Sequence, residues 1–149
     1  MGVLAAIRAH SVDLAVFVHV AGAMVLVGGV VTAAAASLVG WRDEGVRLQR
    51  FSALTLFAVA LPGWIVMRAG AEWAYSKEHW GDLPDTPTWL GIGFSTSDIG
   101  GLLLLIALIL GGLGIRRGSA GMLKVSGVIA TVLVAAYIVT VWAMGAKPG

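Results

Sequence analysis

The chain has 149 residues, of which 58% are hydrophobic and only 12% are charged, and its mean hydropathy is +0.91. A soluble domain averages about 45–50% apolar and about 25% charged residues. Here the apolar residues gather into four long runs instead of alternating at the period of a strand, so we predict an integral membrane protein and exclude a soluble enzyme and an outer-membrane barrel. Because the chain has no cysteine, disulfide frameworks, thiolate metal sites and cysteine nucleophiles are excluded as well.

The four apolar runs are each long enough for a membrane-spanning helix. The first is too long for a signal peptide and follows a single arginine, so we interpret it as a retained span. In the second run, Pro62 lacks a backbone donor and crowds the carbonyl of Ala58, which predicts a kink. Before the third run, the polar residues 95–98 are suitable N-caps. The expected spans are 12–40, 51–76, 98–115 and 122–146.

These spans predict an all-α membrane protein with one domain over residues 1–149. We expect an antiparallel bundle of four transmembrane helices, with a kinked second helix and a structured loop between the second and third helices. That loop, Lys77–Ser97, contains prolines and aromatic residues, which argue against disorder. We predict that it forms a cap over one end of the bundle, and the alternative is a segment resting among the lipid headgroups.

Charge counting predicts the orientation of the bundle. The first and third connections, with their flanks, carry six basic and two acidic residues, whereas the other side carries four basic and six acidic residues. The positive-inside rule therefore places both termini and the 77–97 loop outside, in a multi-pass protein of the cell (inner) membrane. Because the basic residues set orientation, the basic pI is no evidence for nucleic-acid binding.

A few ionisable residues lie within or beside the spans, where a charge costs at least about 2.5–3.5 kcal/mol at the helix centre without a partner or water. Counted from the inner helix ends, four of them lie at about one depth, roughly 27–33 Å away. We predict that they form an outward-facing polar layer, which serves as the candidate ligand site. The four are His19, Arg68, Glu72 and Asp98.

Within this layer, helical spacing predicts particular contacts. Arg68 and Glu72 stand at i and i+4, where opposite charges meet if the helix continues past Pro62. Glu72 also matches the depth of His19, so a hydrogen bond between them is geometrically possible. Each residue also has a purely structural interpretation: His19 as a link between helices, Arg68 and Glu72 as boundary residues, and Asp98 as a helix cap.

Three further polar residues mark the mouth of the bundle or its loop. His10 and Asp13, at i and i+3, are a candidate pair at the mouth. His79 lies in the polar and aromatic loop, where nothing nearby has the spacing of a metal ligand. Five tryptophans fall toward the same end, and they favour either an aromatic belt at the headgroups or aromatic walls of an outward-facing pocket.

The first span resembles a known type of membrane helix. The segment Phe17-Val-His19-Val-Ala-Gly22, followed by Gly28-Gly29, is similar to the opening helix of small bacterial four-helix integral membrane domain families of unknown function, and more remotely of copper-resistance D-like proteins. The resemblance covers the first helix only. It implies His19 as a candidate ligand of haem b or copper. Unlike those families, this chain embeds no second histidine at matching depth, so a bis-histidine haem would need His10, His79, a partner subunit or a homodimer.

The leading functional prediction is a non-enzymatic membrane accessory or binding protein that works through the outward-facing polar layer. One alternative is a haem- or copper-binding redox module with His19 as ligand, and a weaker one is a proton-coupled transporter using His19 and Glu72. The sequence contains no His-Glu-x-x-His, Gly-x-Ser-x-Gly or Walker-type motif, so no catalytic residues are assigned. The expected partners are the lipid bilayer and either another membrane subunit or a second copy of the chain.

Overall fold

A computed structural model describes residues 10–42, 45–79, 85 and 87–146 of the chain, and in these residues every regular element is helical. The second and third α-helices are joined through a π-helical turn, Leu56–Ala60, into one continuous helix. Counted with this continuous helix as one, four helices are long and apolar enough to cross a membrane, which confirms the predicted all-α, four-span fold. The α-helices are α1 (His10–Arg42), α2 (Val46–Thr55), α3 (Leu61–Lys77), α4 (Thr88–Arg117) and α5 (Ala120–Ala146).

One boundary differs in a way that affects the site. α4 begins at Thr88, directly after Pro87, and not near residue 98. Asp98 therefore lies inside the helix, and its predicted role as an N-cap is wrong. Proline at the residue before the first turn explains the earlier start, because its fixed φ favours helix initiation and its missing N–H is not needed there. Residues 88–97 of the expected loop are thus the first turns of α4, and residues 80–84 and 86, on which the predicted cap also depends, lie outside the described residues.

The helices alternate in direction, which gives the bundle two distinct ends. We call the end at which α1 begins, α3 ends, α4 begins and α5 ends the termini end. The opposite end, with the short α1–α2 and α4–α5 connections, is the hairpin end. At the α4–α5 connection Gly118 adopts a left-handed conformation (φ 64°), and Ser119 donates its N–H to the carbonyl of Gly114, so the turn is closed tightly.

α1 and α3 approach so closely that their backbones touch at glycines. A Cβ placed on Gly70 would lie 2.4 Å from the backbone nitrogen of His19, and one on Gly63 would lie 2.5 Å from that of Leu26. In α1, a Cβ on Gly22 would contact the backbone of Met67, and one on Gly29 would contact the backbone of Ala60. Small residues let membrane helices pack at close range. We call these four glycines (Gly22, Gly29, Gly63 and Gly70) the glycine seam.

The π-helical turn lies just before Pro62, where the sequence predicted a kink. Pro62 has no N–H to donate to the carbonyl of Ala58, and its ring would crowd that carbonyl in a regular α-helix. A wider turn relieves this conflict without ending the helix. α2, before the turn, contacts α1, α4 and α5, whereas α3, after it, packs on α1 and barely approaches α4.

The hairpin end is tied together by buried polar side chains. The hydroxyl of Ser37 donates to Oε1 of Gln49 (2.9 Å), and Nε2 of Gln49 donates to the backbone carbonyl of Ser37 (2.8 Å). Ser126 donates from α5 to the carbonyl of Ala107 in α4 (2.8 Å). Because each buried polar group costs free energy unless it is bonded, these reciprocal contacts fix how the helices meet at this end.

Candidate binding cavity

A cavity of about 740 Å³ lies between the four helices at the termini end. Its volume falls within the range of about 300–1,000 Å³ typical of small-molecule sites. Most of its lining is aliphatic or aromatic, and it includes Val16, Ala23, Leu26, Leu90 and Phe94. A mainly apolar chamber with a few polar groups is the usual form of a site for a small molecule.

The cavity exists because α3 follows α1 and leaves a gap toward α4. Side chains, not backbones, bridge that gap. Trp64 donates its indole N–H to the carbonyl of Ser97 (3.2 Å), and its ring covers Gly101, where a Cβ would be 2.6 Å away. Nearer the termini end, the rings of Tyr75 and Phe94 meet edge to face with centroids 5.4 Å apart. These contacts close the gap into one wall of the cavity.

Three of the predicted polar residues, Arg68, Glu72 and Asp98, form one charged cluster. Its Nη2 lies 2.8 Å from Glu72 Oε1, so the predicted i, i+4 ion pair is confirmed. Its Nη1 lies 2.9 Å from Asp98 Oδ1 on α4, and its guanidinium stands 5.1 Å from the ring centroid of Phe94. The two carboxylates are more than half exposed, whereas Arg68 is only 26% exposed. The positive charge of Arg68, beside the cavity, is therefore already balanced by the carboxylates of Glu72 and Asp98, which lie on the exposed side of the cluster.

His19 lines the same cavity but is not part of that ion cluster. Its Nδ1 lies 3.0 Å from the backbone carbonyl of Met67. A carbonyl only accepts, so Nδ1 carries the hydrogen and donates it, which leaves Nε2 as the available ring atom. The contact joins α1 to α3, as expected for a helix-linking histidine. The hydrogen bond between His19 and Glu72 is not formed among the described residues, because the Glu72 side chain turns to Arg68 on its own helix.

Two hydroxyl groups in the cavity wall have no hydrogen-bond partner among the described residues. They belong to Ser97 on α4 and Tyr137 on α5, which are 8% and 5% exposed. The Tyr137 hydroxyl lies against Gly100, where a Cβ would be 3.0 Å from it. Gly100 is one turn along α4 from Ser97, so both hydroxyls lie by the same helix face. A buried, unpaired polar group costs about 1–3 kcal/mol.

The cavity is not fully enclosed, and exposed apolar side chains line its open side. Val20 and Met24 of α1, together with Val141 of α5, line it and are 48%, 71% and 63% exposed. Exposed aliphatic side chains on a membrane-spanning helix face lipid. The opening between α1 and α5 is therefore apolar and leads into the surrounding bilayer.

Asp13 and His79 are not among the described residues that line the cavity. Asp13 is exposed near the start of α1, and the side chain of His10, its expected partner, lies outside the described residues. His79 is exposed after the end of α3, with a left-handed backbone (φ 54°). In the part of the chain that the structure describes, no group of three or more histidine, aspartate or glutamate side chains could hold a metal ion.

The two interpretations of the tryptophans apply to different residues. Trp73 and Trp142 are exposed near the termini end, as in an aromatic belt. Trp89 instead lines the cavity, and Trp64 bonds α3 to α4 beside it.

Sequence reasoning missed the two unpaired hydroxyls. The available signal was a lone tyrosine in the apolar run 122–146 and a serine near the N-terminal end of the third run. A search limited to histidine and to side chains that are charged at neutral pH passes over such residues.

Compared with protein-family models, with curated proteins and with solved structures, the chain gives no significant match.

Proposed function

We propose that the chain is a membrane-embedded binding protein that holds a small, mainly apolar molecule in the cavity at the termini end. The observation that carries this proposal is the cavity itself, whose apolar wall contains two buried hydroxyls with no partner in the part of the chain that the structure describes. Protein interiors are close-packed, and buried polar groups are normally bonded. A chamber of this size with unsatisfied donors is therefore explained most simply by a ligand that fills it and bonds to them.

The polar layer supplies the rim of this site. The cluster of Arg68, Glu72 and Asp98 holds α3 to α4 at the cavity wall, and His19 holds α3 to α1. In this proposal these residues shape and orient the site, and they do not carry out a reaction. A partner subunit or a second copy of the chain stays a prediction for the accessory role.

The test is to fill the cavity from one helix position. Ala71 lines the cavity, whereas Ala69, two residues earlier on α3, is exposed on the surface. We expect native mass spectrometry of the purified protein to detect a retained small molecule in the wild type and in Ala69→Trp, and to detect none in Ala71→Trp. Should nothing co-purify, a long-chain primary alcohol is titrated into the same three proteins. Equal binding by both variants, or no saturable binding by the wild type, would overturn the proposal.

We also propose that the protein lies in the inner membrane with the termini end outside, as the charge bias supports. Because the chain has no cysteine, single-cysteine labelling has no background. Glu78→Cys at the termini end should react with a membrane-impermeant maleimide in intact cells, and Ser119→Cys at the hairpin end should react only after lysis. The reverse pattern would invert the assigned orientation.

The alternative in which His19 binds haem or copper stays a prediction. Its support is limited to the resemblance of the first helix and to the available Nε2, since no ligand group accompanies His19 among the described residues. An absorption spectrum and a metal analysis of protein from haem-replete cells test it. A Soret band or stoichiometric copper that is lost in His19→Ala would support this alternative, whereas colourless, metal-free protein would end it.

A further inference from the structure

The polar groups of the cavity allow the chemistry of its ligand to be narrowed. We infer that the ligand is a neutral amphipathic molecule drawn from the bilayer, with a hydroxyl or carbonyl head bonded to Ser97 and Tyr137 and an apolar tail leaving between α1 and α5. This inference rests on the proposed binding function and adds the class of ligand to it. Three features of the cavity carry it: the position of the charges, the type of the unpaired groups and the direction of the opening.

The charges argue against an ionised head. Arg68 is the only described arginine or lysine in the cavity lining, and it is already paired with Glu72 and Asp98. An anionic head would therefore approach a cluster whose net charge is negative, because the guanidinium of Arg68 is outweighed by two carboxylates. Glu78 also lines the cavity, but it lies just past the end of α3, fourteen residues along the chain from Trp64, which bonds Ser97. A cationic head at the two hydroxyls would therefore leave water for an apolar wall, where burying a charge is strongly disfavoured.

The unpaired groups match an oxygen-bearing head. Each hydroxyl can donate one hydrogen bond and accept others. Both belong to residues that line the cavity, and each oxygen is covered by neighbouring atoms in this structure, so a head group bonds to it once the side chain turns toward the cavity. A carbonyl oxygen would accept from them, and a hydroxyl would both accept and donate. Nε2 of His19, left available by the bond from Nδ1 to Met67, supplies a further acceptor when the ring is neutral.

The direction of the opening identifies the source. Because Val20, Met24 and Val141 make the lateral gap apolar, a long hydrocarbon chain can occupy it without losing any favourable hydration. A ligand held head-inward at Ser97 and Tyr137 then keeps its tail among the lipid chains. Neutral glycerolipids and isoprenoid alcohols or ketones share this chemistry.

The first arm of the test compares three probes of equal chain length: a primary alcohol, the carboxylic acid and the amine. Binding to the purified protein is measured at neutral pH by native mass spectrometry. We expect the alcohol to bind more tightly than the acid and the amine by roughly tenfold or more. If the acid or the amine binds as tightly as the alcohol, the inferred ligand class is wrong although the binding function stands. If none of the three binds, the binding function itself fails.

The second arm locates the head. Tyr137→Phe and Ser97→Ala should each weaken alcohol binding by roughly 2- to 12-fold, the equivalent of one hydrogen bond. Neither should lower the unfolding midpoint, because neither hydroxyl has a hydrogen-bond partner within residues 10–42, 45–79, 85 and 87–146. The matched control is Thr140→Val, since Thr140 also lines the cavity but already donates to the carbonyl of Ala136 (3.1 Å). Unchanged binding in Tyr137→Phe and Ser97→Ala, or an equal loss in Thr140→Val, would overturn the inference.

The third arm separates the sources of the ligand. The mass of a molecule retained from native membranes distinguishes a neutral glycerolipid from an isoprenoid, and either one supports the inference. A retained phospholipid or fatty acid would contradict it, because both carry an ionised head.

Discussion

Adding one methyl group to the glycine seam should weaken the whole bundle, and Gly70→Ala is the sharpest case. The ideal Cβ at this position lies 2.4 Å from the backbone nitrogen of His19 and 2.7 Å from its Cα. These are main-chain atoms, so no side-chain rotation can relieve the contact. Carbon atoms pack at about 3.5–4.0 Å, and α1 and α3 must therefore separate by about 1 Å.

The size of the effect follows from two opposing contributions. Replacing glycine by alanine within a helix favours folding by about 0.5–1 kcal/mol. Overpacking a close contact costs about 1–3 kcal/mol. The contact should dominate, because separating the helices also lengthens the hydrogen bond from His19 to the Met67 carbonyl, now 3.0 Å. We expect Gly70→Ala to lower the free energy of unfolding by about 1–2 kcal/mol.

Gly28→Ala is the matched control. Gly28 lies in α1, between two glycines of the seam, but a Cβ there would meet no atom of the described residues within 4 Å. It gains the same helix preference without the contact, so its stability should stay equal or rise. Reversible unfolding in mixed detergent and sodium dodecyl sulfate, followed by circular dichroism, measures both variants. If Gly70→Ala proves as stable as Gly28→Ala, the close approach of α1 and α3 is not what holds this end of the bundle.

Two further predictions concern the polar clusters. Glu72→Gln and Asp98→Asn should each change the free energy of unfolding by less than about 1 kcal/mol, because both carboxylates are largely exposed. The double variant should cost more than the sum of the two, since Arg68 then has neither counter-ion, and additive losses in a double-mutant cycle would contradict this coupling. At the hairpin end, Gln49→Leu should cost about 1–3 kcal/mol, because it leaves the buried Ser37 hydroxyl without its acceptor. The same detergent titration checks this, and a neutral result would remove the stabilising role of the pair.

Composition and run length were sufficient to predict the helical, four-span fold, because the bilayer itself dictates both the length and the apolar content of a span. Spacing along one helix was equally reliable: Arg68 and Glu72 meet at i and i+4 as expected. Depth counting correctly grouped Asp98 with Arg68, although the two lie on different helices. Depth counting does not give the direction in which a side chain points. The hydrogen bond that it allowed between Glu72 and His19 is not formed among the described residues, and His19 instead donates to a backbone carbonyl.

Features that depend on the distance between helices were beyond sequence reasoning. Gly22 and Gly29 stand seven residues apart, on one face of α1. The matching glycines of α3 acquire meaning only once the register pairs Gly70 with His19 and Gly63 with Leu26. In the same way, Pro62 predicted a kink, but the direction in which the helix turns away from α4 follows from what it packs against. The cavity is the product of these two effects, and so no single segment of the sequence encodes it.

The glycine seam brings α1 and α3 together and thereby leaves space between α3 and α4. Four helices of ordinary spacing would fill their shared centre with side chains, but the glycine seam draws α3 onto α1 and away from α4 over the termini end. The side chains of Trp64 and Arg68 extend from α3 to α4 across the gap, so they connect the two helices without filling the cavity. A ligand in that space would bind only the folded bundle, so it should stabilise the protein as its concentration rises. The seam therefore links stability to binding: a methyl group at Gly70 should displace α3 toward α4, shrink the cavity and weaken alcohol binding together with the fold.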